Sequence, residues 1–174
     1  PTDGRAIPGA GPRAGDRRRV TRVAALVLAA GASSRFGSPK PLALLDGRPM
    51  VETLLDVARA AGLGPIVVVL GHAAAAIEAG VAWGDARRVR NPDPDRGLAS
   101  SLRAGLVAIA GLEPRVDAVV ILLADQPRTD PSIIDRLIAA RAAERPIVVP
   151  RYAAGGGHNP VVLERFGFGL ATEA

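Results

Sequence analysis

Residues 28–42, LAAGASSRFGSPKPL, gather groups able to do chemistry. Ala29, Ala30, Gly31, Ala32, Ser33 and Ser34 carry almost no side-chain bulk, so a ligand can come down onto backbone N–H groups, and Arg35 and Lys40 set fixed positive charge beside those donors. Such a turn suits a polyphosphate. Lys40 is singled out by type as well: of 22 basic side chains it is the only lysine, which suggests a position that wants a compact point charge on a flexible stem. Asp125 ends the apolar run Val116 to Ala124. A carboxylate there can hold a divalent cation, and magnesium suits an oxygen-only site shared with substrate phosphates. The alternative is a turn or capping role, although Asp130 is better placed to cap the helix that follows.

Three further groups carry two readings each. Ser100 and Ser101, near the start of a predicted helix, can cap it or read a ligand edge, with Arg103 on the face of Ser100. His72 can line a crevice or lead into the next helix. The stretch YAAGGGHNPVVL, 152–163, with His158 and Asn159 after three glycines, can close on a second substrate or form a plain surface hairpin.

The elements that must position these groups follow from pattern. The run of Val, Ala and Leu from Val23 suits a strand buried on both faces, at the centre of a parallel sheet. The small-residue turn then lies at that strand's carboxyl end, where open α/β sheets form their ligand crevice. Asp46 and Gly47 mark a turn, and Pro49 fits the first turn of a helix. Met50 to Ala61 spaces Val51, Leu54, Leu55 and Ala58 for one helical face, Gly62 and Gly64 end it, and Ile66 to Leu70 is a second apolar strand. That unit implies parallel strands joined by a right-handed crossover. A short helix over Ala73 to Ala79 precedes a charged strand, Arg87 to Arg90, near a sheet edge. Asn91 to Gly97 is an irregular loop, Leu98 to Ile109 a helix, Val116 to Ala124 a third buried strand, Pro131 to Glu144 a helix, and Ile147 to Val149 a strand.

Composition bounds the function. At 174 residues and 48% hydrophobic, the chain fits one domain with a sizeable core. No cysteine is present, which excludes a disulfide framework, a thiolate metal site and a cysteine nucleophile, and two histidines argue against a histidine-rich zinc site. The net charge of +5 is concentrated in residues 1–22, where six arginines face Asp3 and Asp16; residues 23–174 hold 16 basic and 15 acidic side chains. Residues 1–22 therefore read as a disordered basic leader, and with 3% aromatics no specific nucleic-acid partner is expected. No membrane span or signal peptide is evident, so a cytoplasmic protein is expected. Neither the dinucleotide fingerprint nor the P-loop pattern occurs.

With these residues in hand, the chain resembles the MobA-like nucleotidyltransferases, and most closely the molybdenum cofactor cytidylyltransferases. Residues 28–42 look like the family's signature loop, GLASSLRAGL (97–106) its second motif, ADQP (124–127) its third and GGGHNPVVL (155–163) its fourth. The resemblance covers residues 23–168. It implies a Rossmann-like three-layer α/β/α sandwich with a mostly parallel sheet, and transfer of a nucleoside monophosphate from an NTP to a phosphate acceptor with release of pyrophosphate. It places Ala29, Ala30, Gly31, Ala32, Ser34, Arg35 and Lys40 around the nucleotide, with Gly97, Ser100, Ser101 and Arg103 near base and ribose. Arg35, Lys40 and Asp125 would be catalytic, Asp125 would bind Mg2+, and Gln126, Gly157, His158 and Asn159 would meet the acceptor. Alanine at position 30 goes with cytidine nucleotides, so CTP is the implied donor and a molybdopterin-type cofactor the acceptor, with a molybdoenzyme or its chaperone as a protein partner. Family members continue past the position of Ala174, so the domain over 23–174 is expected to lack a C-terminal segment. The alternatives are a nucleotidyltransferase acting on a sugar phosphate or polyol phosphate, and a non-catalytic nucleotide-binding module.

Overall fold

The computed structural model describes residues 21–32, 37–153, 155 and 157–172. The arginine-rich stretch 1–20 lies outside them, as do Ser34 and Arg35 of the signature loop.

The chain opens with β1 (Val23–Ala29), all seven residues buried. A hairpin of β2 (Leu44–Leu45) and β3 (Arg48–Pro49) turns at Asp46–Gly47 and leads into α1 (Met50–Ala60). Pro49 sits at the helix cap, one position before the first turn expected for it. Val51, Leu54, Leu55 and Ala58 are the buried face of α1, and its end is closed by Gly62 and Leu63 N–H groups donating to the carbonyls of Arg59 and Ala58. There follow β4 (Ile66–Leu70), α2 (Ala74–Ala79), β5 (Arg87–Arg90), α3 (Leu98–Ala110) and β6 (Ala118–Leu123). The chain continues through α4 (Pro131–Ala139), β7 (Ile147–Val148), β8 (Val161–Glu164) and α5 (Phe168–Thr172).

The strands form one six-stranded sheet in the order β5-β4-β1-β6-β8-β7. The pairs β5·β4, β4·β1 and β1·β6 are parallel, and β8 runs antiparallel to both β6 and β7. The expected three-layer sandwich with a mostly parallel sheet is present. Alternation along β1 sorts the layers: Ala25, Val27 and Ala29 face α1, α2 and α4, whereas Ala24, Leu26 and Leu28 join the core that holds Leu106 and Ile109 of α3 and Phe168 of α5. Full burial of each large aliphatic side chain is worth roughly 1.5–3 kcal/mol, so the central strands carry much of the stability. A Cβ at Gly105 would come within 2.3 Å of Leu26 Cδ1, so glycine is what lets α3 lie this close to β1.

One element differs from its sequence pattern. The helix expected to run from Pro131 to Glu144 ends at Ala139. After Ile138 the sequence offers no further large apolar side chain before Pro146, and Arg141 turns away to form a two-point ion pair with Glu164 of β8. A tertiary contact thus outweighs the helix propensity of Ala142, Ala143 and Glu144.

Candidate active site

Because β1, β4, β5 and β6 are parallel, their carboxyl ends share one edge of the sheet, and the loops leaving them meet there. Leu70 O of β4 accepts from Asn91 N at 2.8 Å, and Leu28 O of β1 accepts from Ala124 N at 3.1 Å, which ties the chain beyond β5 and β6 to the inner strands. A Cβ at Gly71 would lie 2.3 Å from Ala30 O, so only glycine allows the exit of β4 to press against the start of the signature loop.

A cavity of about 550 Å³ opens at this edge. Its walls include Ala29, Ala30, Gly31 and Ala32 from the loop after β1, Lys40, Gly97 and Ser101 at the start of α3, and Asp125 after β6. The helix α3 begins at Gly97 with no side-chain cap, so its first N–H groups are available at the cavity wall. Two further lining residues were not drawn from the sequence as site residues. Asp95 Oδ1 accepts a 2.8 Å hydrogen bond from His72 Nε2, and Leu98 is 62% exposed although apolar. His72 therefore does both things its position allowed, leading into α2 and lining the crevice.

Asp125 does not cap a helix. Asp130 does that, accepting from Ser132 N at 2.8 Å, and the backbone donation holds its carboxyl below the usual carboxylate range. Asp125 Oδ2 instead accepts from Lys40 Nζ at 3.1 Å, joining two of the three residues expected to be catalytic across 85 positions of sequence. Asp125 also belongs to the wall of a second cavity, of about 580 Å³, together with Gln126, Gly157, Asn159, Arg128 and Tyr152. It is the shared boundary of the two.

The hydroxyls of both serines are engaged by the loop that precedes their helix. Asn91, 6% exposed, donates to Ser100 Oγ at 2.8 Å and Ser101 Oγ at 3.0 Å, while its own Oδ1 accepts from Asp93 N. Ser100 Oγ also lies within bonding distance of the carbonyls of Asp93 and Gly97. These hydroxyls pin the 91–97 loop to α3. Ser101 remains on the first cavity; Ser100 and Arg103 line a separate hollow of about 330 Å³ with Arg96. His158 lines a third hollow with Arg151 and Tyr152, next to the second cavity rather than in its wall.

The donor set can accept a divalent cation in one specific way. Among the described residues no group of three His, Cys, Asp or Glu side chains is close enough to cage a metal. A single half-exposed carboxylate facing two cavities fits magnesium, which keeps several waters and binds through one or two carboxylates plus substrate phosphates.

A parallel α/β sheet carrying a cavity of backbone donors, one lysine and one aspartate at its carboxyl edge defines a domain of the nucleotide-diphospho-sugar transferase type. Residues 25–171 match the family described as the MobA-like NTP transferase domain, and the chain belongs to that family. Among solved structures it is similar to Rv0371c from Mycobacterium tuberculosis H37Rv, with 36% identity, a TM-score of 0.75 and coverage of 88% of this chain and 76% of that one. It is also similar to a nucleotidyl transferase from Methanothermobacter thermautotroptrophicus, at 27% identity and a TM-score of 0.67, covering 84% and 73% of the two chains. Among curated proteins it is 34% identical over 138 residues to the bifunctional protein GlmU of Sorangium cellulosum. That match takes in 74% of this chain and 28% of the relative, so the chain spans little more than a quarter of that protein's length.

Proposed function

We propose that this domain is a nucleotidyltransferase that transfers CMP from CTP to the phosphate of a molybdopterin-type cofactor and releases pyrophosphate. The observation that carries nucleotidyl transfer is the Lys40–Asp125 pair on the boundary between two cavities. A donor and an acceptor need separate pockets that meet at the reacting phosphorus, and charge must be neutralised at the meeting point. CTP is favoured by alanine at position 30, and the acceptor by the four motifs of the resemblance.

In the reaction an acceptor phosphate oxygen attacks the α-phosphorus in line, a P–O bond forms, and the bond to the bridging oxygen breaks with its electron pair leaving on pyrophosphate. Positioning and charge neutralisation do most of the work. The N–H groups of Ala30 to Ala32 cradle the triphosphate, Leu98 offers an apolar face to the base, and Lys40 and Arg35 neutralise the leaving group. Asp125 would hold magnesium, which supplies charge neutralisation at the donor phosphates; the structure of Rv0371c in complex with manganese supports a divalent cation. Lys40 and a metal ion are alternative partners of one carboxylate, so release of Lys40 from Asp125 frees its ammonium for phosphate.

A second reading, transfer onto a sugar phosphate or polyol phosphate, is favoured by the likeness to GlmU. Both readings use the same donor cavity. The test is pyrophosphate release with CTP, GTP, ATP and UTP against molybdopterin and sugar phosphates, preceded by thermal stabilisation with each nucleotide and magnesium. Selective stabilisation by CTP and turnover with molybdopterin are expected. Selective stabilisation by GTP would overturn the cytidine preference, and turnover with a sugar phosphate alone would establish the second reading.

A further inference from the structure

We propose that Arg128 is the anion-binding residue of the second cavity, where it holds the phosphate monoester of the acceptor beside Asp125. The inference rests on the nucleotidyl-transfer reading, since it concerns the half of the site that the nucleotide does not fill.

An acceptor entering this cavity brings a phosphate with one to two negative charges towards Asp125, itself an anion, and needs a compensating cation. Among the described residues that line the cavity, Arg128 is the one basic side chain. The two carboxylates of the same wall are already engaged, Asp125 with Lys40 Nζ at 3.1 Å and Asp130 with Ser132 N at 2.8 Å. Among the described residues, no hydrogen bond or ion pair engages Arg128. A guanidinium presents a planar fork of donors that matches two phosphate oxygens at once, which an ammonium does not.

The wall that carries Arg128 is braced. Thr129 Oγ1 donates to Gln126 O at 3.0 Å and closes the turn on which Arg128 stands. Facing it, Tyr152 donates its hydroxyl to Asn159 O at 2.6 Å and pins the glycine-rich loop. Arg128 follows directly after the ADQP motif, so its backbone position is set by the same strand end that sets Asp125. Arg151, the nearest basic residue in sequence on the opposing loop, lines the adjoining hollow and not this cavity.

The experiment measures binding and turnover side by side. Phosphorus NMR titrations use glucose 1-phosphate and a pterin bearing a phosphate monoester as probes, with the intact chain, Arg128→Ala, Arg128→Lys and Arg151→Ala. Loss of one charge-assisted contact should weaken both probes at least about ten-fold in Arg128→Ala. Arg128→Lys should recover part of that loss, and Arg151→Ala and the affinity for CTP should be unchanged. Pyrophosphate release with each probe then separates a sugar source of the phosphate from a pterin source. Equal probe binding in Arg128→Ala and the unaltered chain overturns the assignment, as does an equal loss of CTP binding. If the Arg128-dependent binding is present but no acceptor releases pyrophosphate, the transfer reading fails while the assignment stands. If transfer proceeds with an acceptor KM that Arg128→Ala leaves unchanged, the assignment fails and the transfer reading stands.

Discussion

Lys40–Asp125 and Arg141–Glu164 each join residues from different parts of the chain, and their surroundings give the same chemistry two different uses. Lys40 and Asp125 keep 38% and 49% of their side-chain surface in water, whereas Arg141 and Glu164 keep 15% and 11%. An exposed pair is worth little, with a median of about 0–1 kcal/mol, so a better partner readily displaces either member. A largely buried pair is different: removing one member strands the other away from water, at about 3–5 kcal/mol. Glu164 is held at two points, with Arg141 Nη2 2.9 Å from Oε2, and sits at the end of β8 on the rim of the sheet. The guanidinium of Arg141 is held still more firmly in its charged form by that carboxylate. The weak pair lies on the wall of the cavity proposed to take the nucleotide, and the strong one fastens the end of α4 to the antiparallel side of the sheet. Under the proposed function, exchangeability is what sets the Lys40–Asp125 pair apart.

Lys40→Ala gives the largest effect expected under this contrast. Losing a charge that acts on the leaving group removes roughly 2.7 to 4 kcal/mol of transition-state stabilisation, a fall of roughly 10²- to 10³-fold in turnover. Denaturant unfolding should place its stability within about 0.5 kcal/mol of the unaltered chain. An activity loss that merely tracks a loss of folded protein would break the contrast. Arg141→Ala should do the reverse. Urea unfolding is expected to show a loss of about 3 kcal/mol, the lower end for a buried pair because a little surface remains wet. Turnover per folded molecule, measured at low temperature, should remain. A stability change under about 1 kcal/mol would place this pair with the exposed ones.

The sequence was legible where one local pattern decides the outcome. The strands β1, β4 and β6 are buried on both faces, so their runs of Val, Ala, Ile and Leu stand out without knowledge of their neighbours. The buried face of α1 and the capping by Asp130 are equally local. Lys40 could be singled out because arginine fills every other basic position. What escaped depends on distant partners. Arg141 shortens α4 through a contact 23 residues away. Asp95 reaches the first cavity only because its loop folds back to His72, and Arg128 joins the second cavity only because Tyr152 and Asn159 lie across from it. Ser100, Ser101 and Arg103 share a helix, yet the 91–97 loop divides them between two hollows, which spacing alone does not reveal.

Asp130 offers the smallest and most selective test, because it shares the second cavity with Asp125 while its carboxylate works for the fold. Its folded-state acidity is set mainly by the hydrogen bond from Ser132 N, which favours the ionised form and lowers the pKa. A depressed carboxyl contributes stability that is present above its unfolded value, about 3.9, and is lost as pH falls through the folded value. Asn caps a helix nearly as well as Asp but does not titrate. At neutral pH the unaltered chain should therefore have a slightly higher Tm than Asp130→Asn, through the attraction between the carboxylate and the positive end of α4. That margin should hold from pH 6 down to about 4 and close as pH falls further, because only the aspartate takes up a proton. A margin that stays constant across the titration would mean that the carboxylate contributes no charge-dependent capping, and would detach Asp130 from the structural side of the contrast with Asp125.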